Sequence, residues 1–302
     1  MTPLPSTQQL RYLVALGETA HVGRAAARCA VSQSTLSTGI IALERTLDAQ
    51  ILDRSSGRRV VFTPLGAELV ERAHTALAAL QEIADAADAI RAPLAGQLRL
   101  GLIPTIGPFL LPRLVPLLRH TYPGLRLMLR EDTSARLLDD LFADRLDLLI
   151  LAEPYPCGGA ETLPVARDEF MVAMPKAHPL AARDAVPMAA LSRETMLLLE
   201  DGHCLRDHVL AACRTATPQA AFAATSLHTL IHMVSGGLGI TLLPRLAAAC
   251  GIARGVDVAL RRLDGAGAWR TISLVFRPGA PRILEYRALW PMVASAIANP
   301  AP

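Results

Sequence analysis

The side chain best placed to do chemistry in this 302-residue chain is the thiol of Cys204. A leucine run, Leu197 to Leu199, apolar enough for a buried strand, stops at Glu200, Asp201 and Gly202. Leu205, Val209, Leu210 and Ala212 then recur at one-turn spacings, which predicts a strand, a turn and a helix. Cys204 falls in the first helical turn, where unpaired backbone N–H groups and the positive end of the helix dipole favour a thiolate. His203 and Arg206 can add positive charge beside it, and a thiolate so placed is a nucleophile open to oxidation. Two plainer readings stand next to this one. Cysteine at a helix start is often only a small buried residue. Cys204, His208, Cys213 and His203 also form a Cys/His cluster, but the paired C-x2-C spacing of a zinc site is missing. Neither a metal nor a cofactor is expected.

The elements that must position this thiol belong to a chain with 52% hydrophobic and 4% aromatic residues, ample for two or more domains with cores of Leu, Ala, Val and Ile. No apolar run approaches twenty residues, and the first residues, MTPLPSTQQLRYLVAL, lack the pattern of a secretory signal. The expectation is a cytoplasmic protein with no membrane partner. There, five cysteines do not make a disulfide framework, so a disulfide would be transient and regulatory. The net charge is +3, and residues 1–63 carry seven Arg against Glu18, Glu44, Asp48 and Asp53. A polyanion would bind at that end.

Residues 8–20 and 22–29 show two helical patterns, interrupted at Val31 and Ser32. Ser32 is suited to cap a third helix, about 33–47. On that helix Leu36, Ile40, Leu43 and Leu47 form one stripe, and Gln33, Ser34, Ser37 and Thr38 point the other way. Two helices and a tight turn, the second with short polar groups at its N-terminal end, predict a helix-turn-helix whose polar face addresses base edges. Residues 52–63 read as a hairpin with Gly57, Arg58 and Arg59 at its tip and Arg54 on one arm, a basic wing suited to phosphate contacts. No G-x-S-x-G nucleophile elbow occurs, and an enzyme is not expected.

This head resembles the winged helix-turn-helix of LysR-type transcriptional regulators, through AAARCAVSQSTLSTGIIALERTLDAQILDR and the closing FTPLG. The resemblance implies a double-stranded DNA partner and DNA contacts from Ser32, Gln33, Ser34, Ser37, Thr38, Arg54, Arg58 and Arg59. Ser34 stands where the family often has Pro, and Thr38 where Arg or Gly is frequent, so base preference departs from the common pattern. An amphipathic linker helix follows from Pro64 to Ile90, with Leu65, Leu69, Ala73, Leu77, Leu80 and Ile83 on one side. In the family it pairs with the same helix of a second subunit. That implies a homodimer or homotetramer on palindromic promoter sites, with RNA polymerase as a further partner.

Beyond Gly96, apolar strands alternate with helices, which predicts a parallel sheet covered on both faces. The resemblance adds the architecture, a two-lobed, periplasmic-binding-protein-like α/β sensor. The division is then 1–63 for the head, 64–91 for the linker and 92–302 for the sensor, with lobe I about 92–167 and 270–302 and lobe II about 168–269. The GHCLRD segment further resembles OxyR-type hydrogen-peroxide regulators. That likeness implies that Cys204 is oxidised and that Cys213, nine residues on, closes a reversible disulfide with it. It also implies that Thr105, Ser134, His203 and Arg270 hold the peroxide, Ser134 replacing the usual Thr, and that oxidative-stress genes are controlled. Ser226 matches a helix-capping Ser or Thr of the wider family. The competing expectation is a LysR-type regulator whose inter-lobe cleft binds a small organic co-inducer, with Cys204 merely packed. A thiol peroxidase has no need of the head.

Overall fold

The computed structural model describes residues 3–53, 60–89, 94–212, 223–265 and 268–299. The chain forms two compact units, residues 1–87 with 143–145, and 88–142 with 146–302.

The first unit begins with α1 (Thr7–Thr19), α2 (Val22–Arg28) and α3 (Gln33–Leu47). Ser6 closes a capping box on α1 with Gln9, and Ser32 Oγ accepts the Thr35 N–H to cap α3, satisfying donors that a helix start leaves bare. Tyr12, Leu13, Leu16, Ala25, Ala26, Leu36, Ile40 and Leu43 form the core. Leu47, expected on the same stripe, is only half-buried. The arms of the hairpin meet at Leu52 and Phe62, while its tip, with Arg54, Arg58 and Arg59, lies outside the described residues.

The linker helix α4 (Pro64–Ala89) packs one row of small side chains against the head. Gly66, Val70 and Ala73 turn toward the core of this unit, and a Cβ on Gly66 would stand 2.1 Å from the Ile51 carbonyl oxygen. Only glycine permits that approach. Of the expected stripe, Leu65, Leu80 and Ile83 stay exposed, Ile83 at 70%, because the row that touches the head is rotated from the row of large side chains.

In the second unit the order is β1 (Gly96–Leu102), α5 (Gly107–Thr121), β2 (Leu125–Glu131), α6 (Ser134–Phe142), β3 (Leu148–Glu153), β4 (Glu161–Pro175) and β5 (Ala185–Pro187). Then come β6 (Leu198–Leu199), α7 (Cys204–Ala212), β7 (Ala223–Ala224), α8 (Leu227–Ser235), β8 (Thr241–Pro244), α9 (Arg245–Ala249), β9 (Val258–Asp264), β10 (Trp269–Phe276) and α10 (Ile283–Ala298). The main sheet runs β2-β1-β3-β10-β4-β9-β5, with β8 also on β4.

The expectation of a parallel sheet is corrected here: the sheet is mixed. β1 pairs parallel with β2 and β3 through helical crossovers, whereas β10 returns antiparallel to both β3 and β4. A strand that re-enters after a long excursion is not bound by the crossover geometry of a βαβ unit, and its direction is set by where the excursion ends. β4 serves both lobes: residues 161–169 pair with β10, and 170–175 with β8 and β9. Strands buried on both faces, such as β3 with Leu148 to Ala152 at most 1% exposed, explain the continuous apolar runs.

Candidate redox site and nucleic-acid interface

The leucine run before Cys204 makes only a short strand. β6 pairs parallel with β7, and Met196 bridges to Ile240. Gly202 takes φ +93° in the turn, a region that favours glycine, and α7 starts at Cys204 itself. Leu205 and Val209 carry the helix into the core at 1% and 3% exposure, and the Cys204 side chain is buried with them at 3%.

The cation facing the sulfur comes from a distant strand. Arg270 on β10 is fully buried. Its Nη1 donates to Thr105 Oγ1 at 2.7 Å and its Nη2 to the Thr105 carbonyl at 3.0 Å. Nε donates to Asp168 Oδ2 at 3.0 Å, and Asp168 Oδ1 accepts the Leu246 N–H at 2.9 Å. The structure therefore brings together Thr105 from the turn after β1, Ser134 from α6, Cys204 from α7 and Arg270 from β10. Thr105 is not a helix cap: Ile106 occupies that position without a side-chain bond. Ser134, the first residue of α6, is buried, and its Oγ has no hydrogen-bond partner of normal geometry. It faces the Cys204 sulfur closely enough to favour the thiolate.

Burial pushes the Cys204 thiol above its ordinary pKa, against the pull of the Arg270 charge, the Ser134 hydroxyl and the Leu205 N–H, with Asp207 adding to the rise. This corrects the expectation of a thiolate favoured by its sequence neighbours. Arg206 is engaged elsewhere: Nη1 donates to the Leu199 carbonyl and Nε pairs with Asp201 at 2.8 Å. His203, half-buried, has its pKa lowered by burial despite Glu200, so it carries no charge at neutral pH. Desolvation outweighs the helix dipole here because the sulfur is cut off from water.

One residue not singled out from the sequence belongs to this site: Asp168 anchors Arg270, and nothing local marks it. His208, grouped with Cys204 by its spacing, is 6% exposed and sits one turn after the thiol with Nε2 2.9 Å from the Pro154 carbonyl.

Cys29, Cys157 and Cys250 are half-buried. The Cys29 and Cys157 thiols are both pushed up in pKa, chiefly by burial. Cys213 lies outside the described residues. Ser226 caps α8 by accepting the Thr229 N–H. Among the described residues no group of three or more His, Cys, Asp or Glu is arranged to hold a metal. Nor is any helix among them long and apolar enough to cross a membrane.

On the head, Gln33, Ser34 and Thr38 are exposed along the outer face of α3, and Ser37 is half-buried. The Ser32 hydroxyl is engaged in the cap and in contacts with Ser34 Oγ at 2.8 Å and Thr35 Oγ1 at 2.7 Å. A Cβ on Gly23 would stand 2.9 Å from Gln33 Nε2, so a glycine at that point leaves room for Gln33 over α2.

Residues 7–67 match the model of the bacterial regulatory helix-turn-helix protein, lysR family, and residues 91–298 match the LysR substrate binding domain. A probable hydrogen peroxide-inducible genes activator from Streptomyces viridosporus is 40% identical over 288 residues, 94% of this chain and 92% of that one. Among solved structures, a full-length OxyR cysteine-to-aspartate variant from Pseudomonas aeruginosa superposes with a TM-score of 0.77 at 34% identity, covering 99% of both chains. A hydrogen peroxide-bound OxyR cysteine-to-serine mutant from Corynebacterium glutamicum gives 0.68 at 31% identity, covering 99% of this chain and 94% of that one.

Proposed function

Because the chain belongs to the LysR family of bacterial transcriptional regulators, in its OxyR-type branch, we propose that it senses hydrogen peroxide by oxidation of Cys204 and reversible disulfide formation with Cys213. It is a DNA-binding regulator, not an enzyme. The observation that carries the proposal is the buried Cys204 thiol faced by Ser134 and by the guanidinium of Arg270, itself held by Thr105 and Asp168. Peroxide is a small neutral molecule with two donors and four lone pairs. Hydroxyls at Thr105 and Ser134 and the ring of His203 supply complementary partners, and Arg270 stabilises charge on the departing oxygen. The sulfenic acid first formed on Cys204 condenses with a second thiol to a disulfide, and a cellular dithiol reverses it. In the cytoplasm that makes a switch controlling oxidative-stress genes.

On the DNA side, Gln33, Ser34, Ser37 and Thr38 read base edges, Ser32 sets the helix start, and Arg54, Arg58 and Arg59 hold phosphates. The exposed stripe of Leu65, Leu80 and Ile83 on α4 is the surface that a second subunit covers, since an apolar helix face left in water favours association. A two-fold dimer, or a tetramer built from two, then places two heads on a palindromic promoter site and presents a face to RNA polymerase. The domain division is the one given above, with residues 64–91 as the connecting and pairing helix.

Gln33→Ala is expected to weaken binding by about 1–3 kcal/mol on the specific site alone, while Arg58→Ala weakens binding to every sequence and lowers the salt slope by about one. Anisotropy titrations on operator and scrambled duplexes at several salt concentrations separate the two. Equal losses on both duplexes for Gln33→Ala would remove α3 from the role of reader. For the sensor, the test is a DNase footprint before and after peroxide: the wild type changes its footprint and Cys204→Ser does not. A Cys204→Ser footprint that still responds places the sensing site elsewhere.

A further inference from the structure

His208 follows Cys204 by four residues on α7, so the two side chains leave the same helix face about 5–6 Å apart at Cβ. Both are buried, at 6% and 3% exposure. His208 Nε2 lies 2.9 Å from the Pro154 carbonyl oxygen. A carbonyl only accepts, so Nε2 carries the hydrogen and donates it, which leaves Nδ1 with the ring's lone pair. That Nδ1 is buried and has no hydrogen-bond partner. A bare buried acceptor costs stability, and an atom of this kind calls for a reason. The reason lies one turn back along the helix.

We propose that His208 Nδ1 is the base that takes the Cys204 proton when peroxide is reduced, with the Pro154 carbonyl fixing the tautomer. This rests on the reading of Cys204 as the peroxide-reactive thiol. The S–H bond breaks and its proton moves to Nδ1 through one bridging water, since the sulfur and Nδ1 are not themselves hydrogen-bonded. The thiolate then attacks one peroxide oxygen, the S–O bond forms and the O–O bond breaks. The oxygen that departs as hydroxide takes the proton from Nδ1 to become water, and the neutral imidazole is restored. Sulfur is oxidised from thiol to sulfenic acid, and peroxide is reduced to water by the same two electrons.

The surroundings favour a neutral ring that can accept a proton. Burial lowers the His208 pKa most, the Pro154 bond and Asp207 oppose it, and Arg270 on β10 lowers it further. Tyr155, from the loop after β3, is pushed up in pKa by burial and by the neighbouring Cys204 and Asp207, so it stays a neutral phenol. Since burial also holds Cys204 as a thiol, a base at hand matters more than it would for a preformed thiolate.

Reduced full-length protein mixed with hydrogen peroxide and quenched at intervals from pH 5 to 9, with Cys204 sulfenic acid trapped and quantified by mass spectrometry, tests this. In the wild type the rate should fall at acid pH, as His208 protonates, and run flat through neutrality. His208→Gln keeps an amide donor for Pro154 but no base. It should react more slowly by about 10²–10⁴-fold at pH 7, with a rate that climbs in proportion to hydroxide. A wild-type rate and profile in His208→Gln would overturn the proposal. If His208→Gln fails to fold, the wild-type profile decides: a plateau supports the base, and a climb in proportion to hydroxide through neutral pH overturns it. Cys204 unreactive in the wild type at every pH would instead sink the peroxide-sensor reading, whereas a reactive Cys204 indifferent to His208 sinks only the base.

Discussion

Arg270→Met is expected to destabilise the second unit by about 3–5 kcal/mol and to slow peroxide oxidation of Cys204 together with it. Arg270 is fully buried and spends its donors on Asp168 and on both the hydroxyl and the carbonyl of Thr105. Removing it leaves the Asp168 carboxylate, 3% exposed, with only the Leu246 N–H as a donor among the described residues, and an uncompensated buried carboxylate is the costly outcome. The same change removes the positive charge that offsets burial at the Cys204 sulfur. Denaturant melts of Arg270→Met, Asp168→Asn and the double variant form a cycle. The double variant should be more stable than Arg270→Met alone, because the stranded charge is gone. A double variant less stable than either single change would show that Arg270 holds the fold through packing rather than through this ion pair.

The second large effect is the loss of α7 on oxidation. In the reduced state α7 runs from Cys204 to Ala212, so these two Cα atoms stand about 12 Å apart along the axis. Cys213 lies no more than about 3.8 Å beyond Ala212. At least about 8 Å then separates the cysteine Cα atoms, more than the roughly 7 Å a disulfide spans. Wherever Cys213 sits, the bond and the intact helix exclude each other. On the proposed mechanism, closing the bond unwinds α7 from its C-terminal end, and each of Leu205 and Val209 that is drawn from the core costs about 1.5–3 kcal/mol of burial. Such an element has two states biased by a covalent bond. Hydrogen exchange should show residues 205–212 protected in the reduced protein and open in the oxidised one. Cys213→Ser should oxidise at Cys204 and keep its protection. Undiminished protection in the oxidised wild type would leave the switch without a moving part.

What could be read in the sequence was what is decided locally. The spacing predicts α3 from about 33 to 47 and it runs Gln33–Leu47, because Ser32 caps it and Leu36, Ile40 and Leu43 repeat on one face. The pattern puts Cys204 in a first helical turn, and it starts α7, because Gly202 ends one element and the next has a helical repeat. What was hidden depends on contacts across the chain. Local spacing offers the thiol His203 and Arg206 as cations, but burial lowers the His203 pKa and Arg206 turns to Leu199 and Asp201. The family likeness pointed to Arg270, yet only the fold reveals Asp168, 102 residues away, as its anchor. Burial is likewise collective: helix position argues for a lowered thiol pKa, and desolvation of the packed sulfur raises it instead. The direction of β10 against β3 could not be had from strand periodicity, which is the same in either sense.

The most direct test of the account is a thiol map of the full-length protein by mass spectrometry before and after one equivalent of hydrogen peroxide, with free thiols alkylated at each point. The account predicts that Cys204 and Cys213 disappear together into one disulfide-linked peptide pair that a dithiol restores, while Cys29, Cys157 and Cys250 stay alkylated throughout. Cys204 still fully alkylated after the pulse, with the oxidation found on another of the five cysteines, would contradict it.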